Sequence, residues 1–365
     1  MKLSVLVTTY QHADWIATAL DGVTMQRTTF PYEVLVGDDA STDGTRDIVA
    51  AYGRAHPDRL IPILPERNMG LEGGRLFETL LERARGEYVA LLDGDDFWFS
   101  DQKLQRQVDL LDRHRTCAVC HHNVVAFYDD GSRPAWELNA EQEEVSVVDD
   151  LLGAWNFIAS SSVMVRRAAV GPLPEWALAS PCADWAFYVL AALNGNIRYI
   201  DEPMSAYRLH ADGMWSRYDR LDALAQKRRF HDQIRSLLAP EQMPALAYGE
   251  VKLATLTAIA KTVLDPNSIV LVISRGDPQL VELGNIEGRH FPADPHGSYS
   301  GHYPADDADA IQELAAARMA GASHLVVPRP AFWWLDHYHV LARHLQERHR
   351  RVWDDDDCTI FELLS

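Results

Sequence analysis

Three carboxylates within four positions, Asp93, Asp95 and Asp96, close the apolar run Tyr88-Val89-Ala90-Leu91-Leu92. The run reads as a buried strand, and anions crowded at its carboxyl end repel one another unless positive charge offsets them. A divalent cation would do so, and carboxylate oxygens suit Mg2+ or Mn2+ better than zinc or copper. An ion held this way keeps coordination positions that phosphate oxygens can fill. A lone Asp-x-Asp is also what a solvated turn after a core strand looks like, so the motif has to be read with its surroundings.

Residues 1 to about 100 alternate strand and helix. Strands are expected at Leu3–Val7, Glu33–Gly37, Leu60–Leu64 and Tyr88–Leu92. Helices are expected at Ala13–Val23, at Thr42–His56 with Ser41 or Thr42 as cap, and at Gly73–Ala84. This alternation predicts an α/β fold, a mostly parallel sheet with helices on both faces, whose ligands bind beyond the carboxyl ends of the strands. Thr8-Thr9-Tyr10, Asp38-Asp39 and Asp93 to Asp96 then share one edge. No Gly-x-Gly-x-x-Gly or Gly-Lys-Ser/Thr phosphate loop is present, so a nucleotide would be held by side chains and a metal.

The 365 residues carry 53 acidic and 34 basic side chains, a formal charge of −19. That charge argues against nucleic acid as a partner and against docking on anionic lipid. No apolar run reaches the roughly 20 residues of a membrane span, and Leu3–Val7 is too short for a signal peptide. Four cysteines in a chain of this length do not make a disulfide framework, so a reduced, cytoplasmic protein is expected.

Ser4-Val5-Leu6-Val7-Thr8-Thr9-Tyr10, Val36-Gly37-Asp38-Asp39-Ala40-Ser41-Thr42-Asp43-Gly44-Thr45 and Gly86-Glu87-Tyr88 running into Asp93-Gly94-Asp95-Asp96 together resemble family 2 glycosyltransferases of the GT-A fold. The resemblance covers about residues 1–215. It implies inverting transfer of a sugar from a nucleotide diphosphate-sugar, UDP-linked or similar, with Mn2+ or Mg2+. It also implies site roles: Thr8, Thr9, Tyr10 and Asp39 at the nucleoside, Asp93 and Gly94 beside them, and Asp95 as the direct metal ligand. Asp38 and Asp43 are alternatively helix caps. Asp184, in Cys182-Ala183-Asp184-Trp185, matches the family's acidic residue before a helix and is the candidate base for the acceptor hydroxyl. The family usually carries a second acidic residue just before it, where this chain has Ala183. Without the resemblance Asp184 reads as an ordinary N-cap. His210 matches a residue that completes the metal or diphosphate site, and Arg208 offers charge to the diphosphate. Glu72, Gly73 and Arg75 match donor contacts more loosely.

Further along, Asp101–His114 is an amphipathic helix. Cys117-Ala118-Val119-Cys120-His121 contains the letters of a haem-attachment motif, but it runs into the strand pattern Val124–Phe127 with no second cysteine pair, so buried strand cysteines are expected. Residues 129–154 read as a mobile polar loop on the acceptor side. Trp155 to Ser162 lead to a strand at Val163–Val165, and the Ser160-Ser161-Ser162 run is either a donor or acceptor contact or a plain strand edge. A helix is expected over Trp185–Leu193, then a strand, Asn196–Pro203, ended by its proline.

The expected domains are a catalytic GT-A domain over 1–215, a helical connector over 216–266 and a small α/β domain over 267–365. The last has a strand at Ile269–Ile273, helices at Ala305–Ala320 and Ala331–His349, a strand at His324–Val327 and a terminal hairpin. Its role is open, and it is a candidate surface for a homo-oligomer. His290, Asp294, His296 and His302 are irregularly spaced in a Pro/Gly-rich loop, which favours solvent exposure over a metal site. The expected partners are a nucleotide diphosphate-sugar donor and a carbohydrate, lipid-linked or natural-product acceptor. A sugar nucleotidyltransferase would need a Gly-rich basic loop that Thr8 to His12 lacks. A non-catalytic nucleotide-sugar-binding scaffold would not need both the acidic motif and Asp184.

Overall fold

The structure, a computed structural model, describes residues 1–70, 73–294 and 298–364. Glu72 and His296 lie outside the described residues. The chain divides into two compact units, Met1–Tyr218 with Asp232–Leu237, and Asp219–His231 with Leu238 to the end. The expected connector therefore does not stand as a unit of its own.

The first unit opens with β1 (Leu3–Thr9), α1 (Ile16–Thr24), β2 (Tyr32–Asp38), α2 (Thr45–Ala55), β3 (Leu60–Ile63), α3 (Gly74–Arg83) and β4 (Tyr88–Asp93). β5 (Phe97–Trp98), α4 (Lys103–Arg113), β6 (Cys117–Tyr128), β7 (Trp136–Glu137), β8 (Val145–Ser146) and β9 (Met164–Arg166) follow. α5 (Glu175–Leu178), α6 (Ala183–Ala192) and β10 (Asn196–Leu209) complete it. The sheet runs β3-β2-β1-β4-β9-β6-β10-β5. β3, β2, β1 and β4 are parallel, and β9 is antiparallel to both β4 and β6. Val5, Val7, Val34, Val36, Ala90 and Leu92 are buried with Leu104, Val108 and Leu111 of α4 in one core. Strands buried on both faces explain the near-continuous apolar runs.

Several local expectations change. The second helix starts at Thr45 after Gly44 at φ 109°, and Ser41 does not cap it: its hydroxyl donates to Asp38 Oδ1. The stretch 129–154 is not a bare loop, because β7 pairs with β6, β8 pairs with β10, and Leu151 and Leu152 are buried. Two-residue strands are too short to show a period in sequence. Pro203 does not end its strand: β10 runs on to Leu209 with a register shift between Ile200 and Ser205, an interruption that accommodates a residue with no N–H. Cys117, Cys120, Cys182 and Cys358 are all buried.

Lys103 is fully buried, its ammonium donating to Gln107 Oε1 at 2.7 Å and lying 4.1 Å from the Trp98 ring centroid. Burial pulls its pKa down to about 7. Unfolding restores an ordinary lysine, so between about pH 7 and 10 the unfolded chain binds more protons and stability rises with pH. Lys103→Met should flatten that slope and stabilise the protein at pH 7 by about 1 kcal/mol, the lost bond to Gln107 limiting the gain. Denaturant titrations of both proteins at pH 7 and pH 9.5 check this: the variant's advantage at pH 7 should be lost and reversed at the higher pH, where wild type gains up to about 3 kcal/mol.

The second unit contains the first part of α7 (Arg220–Ile234), then α8 (Met243–Thr262), β11 (Ile269–Val272), β12 (Glu287–His290), α9 (Asp307–Met319) and β13 (Ala322–Pro328). α10 (Trp333–His337), α11 (His339–Arg348), β14 (Arg350–Asp354) and β15 (Cys358–Glu362) follow. Its sheet order is β12-β11-β13-β15-β14, with the first three strands parallel and the last two forming an antiparallel hairpin. The helix expected over Ala331–His349 is broken at Tyr338, whose hydroxyl donates to the Pro304 carbonyl. Part of the expected His290 loop is strand β12.

Candidate active site

From β1 the chain moves outward to β2 and β3, then returns to the other side of β1 as β4. In an open α/β sheet this reversal leaves a crevice beyond the strand ends. Register fixes what lines it. Thr8 lies opposite Asp93, and Thr9 opposite Asp38. The Thr8 hydroxyl donates to Asp93 Oδ1 at 2.8 Å, and Ser160 donates to Asp93 Oδ2. Gly94 N donates to Thr8 O at 2.8 Å, and a Cβ on Gly94 would fall 2.5 Å from Thr9 Oγ1 and 2.9 Å from His12 Nδ1. Only glycine lets the two strand ends approach this closely.

The loop after β1 is laced to the loop after β2. Gln11, at φ 58°, donates its N–H to Ser41 Oγ; His12 N donates to Thr45 Oγ1, and Ala13 N to Asp43 Oδ2. Asp43 also accepts from Thr45 N, so its carboxylate joins the two loops. Asp38 is buried on Ser41. Asp39 N donates to Thr9 O, and Asp39 Oδ1 accepts from Met69 N at 2.7 Å. Tyr10 is half exposed at the rim.

Asp95 faces two imidazoles: His210 Nε2 stands 3.1 Å and His12 Nε2 3.6 Å from Asp95 Oδ2. Trp15 packs against the His210 ring at 4.3 Å between centroids. Arg208 anchors the floor of the site. Its backbone N–H donates to Asp96 Oδ1, its Nε donates to the Asp95 carbonyl, and its guanidinium pairs with Asp129 and lies 4.9 Å from the Phe127 ring centroid. Asp184 lies in the first turn of α6, not at its cap, which is Cys182, and Asn156 Nδ2 donates to Asp184 Oδ2 at 3.3 Å.

The electrostatics sort these acids. Burial, with Asp95 nearby, pushes Asp93 up, and burial with the same neighbours pushes Asp96 further. Burial also acts on Asp95, but the His210 hydrogen bond and the nearby His12 hold it below the usual carboxylate range. Burial, then Asp38, raises Asp39. Asp184 is held up at about 6 by burial, with the Asp93 charge adding to it. The phenol of Tyr207 on β10 is raised by burial and by Asp96, Asp95, Asp93 and Asp184 together, which places it within electrostatic reach of all four. The Tyr188 hydroxyl, one turn along α6 from Asp184, is buried without a hydrogen-bond partner.

The fold thus gathers Thr8, Thr9, Tyr10, Asp39, Asp93, Gly94, Asp95, Arg208 and His210 along the β1, β2, β4 and β10 ends, with Asp184 in electrostatic reach of Asp93. Arg75 is not joined to this group: its guanidinium is held by Glu78 at 2.9 Å and by Glu175. The sequence reading passed over His12, Trp15, Asn156, Tyr188 and Tyr207, whereas Ser160, one of its two alternatives being a contact at the site, does meet Asp93. Of those passed over, only His12 carried a signal, standing two residues after Tyr10 beyond a strand end.

The mixed, mostly parallel sheet with helices on its faces is a GT-A fold. Residues 4–170 match glycosyl transferase family 2. Over 215 residues it is 39% identical to an uncharacterized protein of Mycobacterium tuberculosis, covering 58% of this chain and 60% of the other. An uncharacterized glycosyltransferase of Nostoc sp. is 31% identical over 220 residues, covering 58% of this chain and 65% of that one. The chain thus spans about 60–65% of the length of these relatives. Among solved structures, S. aureus TarS 1–349 superposes with a TM-score of 0.54 at 19% identity, covering 98% of this chain and 96% of that chain. The same TarS fragment in complex with UDP-GlcNAc matches with a TM-score of 0.50 at 21% identity, covering 72% and 87%. No helix among the described residues is long and apolar enough to cross a membrane.

Proposed function

We propose that this protein transfers a sugar from a nucleotide diphosphate-sugar to an acceptor hydroxyl, with inversion at the anomeric carbon. The observation that carries this reading is the placement of the Asp93–Asp95 pair and the raised Asp184 in one electrostatic neighbourhood. Asp39, Thr8 and Thr9 supply polar groups for the nucleoside, and Asp39, if ionised, accepts from a base N–H. Asp184 takes the acceptor proton as the hydroxyl oxygen attacks the anomeric carbon; the bond to phosphate breaks on the opposite face, and the nucleoside diphosphate departs. Asn156 fixes the carboxylate through its amide. Arg208, already bound to Asp129 and to the Asp95 carbonyl, acts by holding the Asp95–Asp96 turn.

Asp95 and His210 fit a divalent cation. Neighbouring ligands about 2.1 Å from an octahedral ion stand about 3 Å apart, close to the 3.1 Å between Asp95 Oδ2 and His210 Nε2. Among the described residues no group of three His, Cys, Asp or Glu side chains is arranged to hold an ion, so diphosphate and water oxygens would complete the set. Mn2+ or Mg2+ bound there would offset the charge of the leaving diphosphate. TarS was solved with UDP-GlcNAc, which makes UDP the first nucleotide to try. A carbohydrate, lipid-linked or natural-product hydroxyl is the acceptor class this reading leaves.

The test is a thermal-shift series over UDP, GDP, CDP and dTDP with and without Mn2+, followed by release of the preferred diphosphate from its sugar conjugates. One nucleotide should stabilise the fold only with the metal, because selective binding to the folded state raises its melting point. Absence of metal-dependent stabilisation by all four, together with no diphosphate release, would overturn the assignment.

A further inference from the structure

The second unit has a reversal of strand order of the same kind. From β11 the chain moves to β12 on one side, and from β13 to β15 on the other, so the reversal lies beyond the carboxyl ends of β11 and β13. Polar and aromatic side chains meet along this edge. Ser274, immediately past β11, shares a 2.5 Å hydrogen bond with His290 Nδ1 at the end of β12. Behind them Lys252 Nζ lies 3.0 Å from Asp277 Oδ2, which also accepts from Tyr248 OH at 2.9 Å. This ion pair is internally balanced, and the Arg275 guanidinium lies within electrostatic reach of Tyr248 and Tyr299.

On the other side, His290 faces Tyr299 with centroids 6.1 Å apart. Tyr299 is hydrogen-bonded to Tyr303, and Tyr303 meets Trp333 edge-on at 5.2 Å. Tyr303 is 40% and Trp333 38% exposed. Arg275, next to Ser274, is held at φ 56°, a conformation unfavourable for a residue with a Cβ and one that tends to cluster at ligand sites.

We propose that this edge of the second unit binds an uncharged saccharide, with Trp333 and Tyr303 stacking on a sugar face and the Ser274–His290 pair bonding its hydroxyls. A sugar ring presents C–H faces and a hydroxyl rim, which calls for exposed aromatic rings beside hydrogen-bonding groups. The Lys252–Asp277 pair adds no net charge of its own, and the chain's charge of −19 disfavours polyanions. The choice of a saccharide leans on the glycosyl-transfer reading of the first unit, since acceptor or product would then be at hand.

The experiment is native gel electrophoresis of the full chain through gels containing a soluble glucan, mannan, galactan or xylan. Wild type should be retarded by at least one of these. Trp333→Ala should weaken that retention about tenfold, the size of effect expected from one lost stacking ring, while Trp333→Phe keeps most of it. Tyr303→Ala serves as a second variant should Trp333→Ala fail to fold. Asp95→Ala, which strikes the first unit, should be retarded like wild type, so a failed nucleotide assay and a failed retention assay are read separately. Retardation by none of the four, or retention lost in Asp95→Ala but kept in Trp333→Ala and Tyr303→Ala, would overturn the proposal.

Discussion

Asp184→Asn should lower the rate of sugar transfer by about 10³-fold while leaving the affinity for the nucleoside diphosphate within about twofold of wild type. The amide keeps the shape of the carboxylate and a carbonyl oxygen toward Asn156 Nδ2, so the packing at the start of α6 survives. It cannot accept the acceptor's proton. The pH profile gives an independent reading. Burial holds Asp184 up at about 6, so its basic form is lost as pH falls through that value. The wild-type transfer rate should therefore rise with pH, with a midpoint near 6, and level off above it. The residual rate of Asp184→Asn should lack that limb. A variant with unchanged turnover, or one in which nucleotide binding falls in step with turnover, would remove Asp184 from the role of base.

Asp95→Ala should act on binding. Removing the carboxylate that faces His210 and His12 should cost at least about 100-fold in Mn2+-dependent affinity for the nucleoside diphosphate, read by calorimetry at fixed metal. The weaker metal-independent binding through Asp39, Thr8 and Thr9 should persist. Stability separates this from misfolding. Removing Asp95 relieves the like-charge repulsion on Asp93 and Asp96 but forfeits its favourable contacts with His210 and His12, so the two effects oppose and the melting point without ligand should shift by only a few degrees. A variant that keeps metal-dependent affinity would show that the cation, if one binds, is held elsewhere.

Much of the candidate site was legible because it sits at the ends of strands. Thr8, Asp39, Asp93 and Asp95 each follow an apolar run, and the alternation of strand and helix already put those ends on one edge. Asp184 and His210 were reached through resemblance, since nothing in their local sequence separates a base from a cap or a ligand from a structural histidine. Arg75 came by the same means, and its guanidinium is held by Glu78 and by Glu175, a hundred residues away in sequence. Tyr207 and Tyr188 read as ordinary core residues of a strand and a helix. What sets them apart is which carboxylates lie within electrostatic reach of them, and a 3.6- or 2-residue period carries no such information.

By itself the sequence determined the parallel α/β core, the acidic edge and the presence of a second α/β unit, because burial on both faces and turn chemistry are written locally, residue by residue. The tertiary structure alone decided that β10 runs through Pro203 to carry Arg208 and His210 beneath Asp95 and Asp96, that His12 joins His210 at one carboxylate oxygen, and that Ser274 meets His290. Those pairings join positions from 16 to 115 residues apart. Side chains so distant in the chain are set by strand order and register, which depend on how the whole sheet packs and not on any short stretch of it.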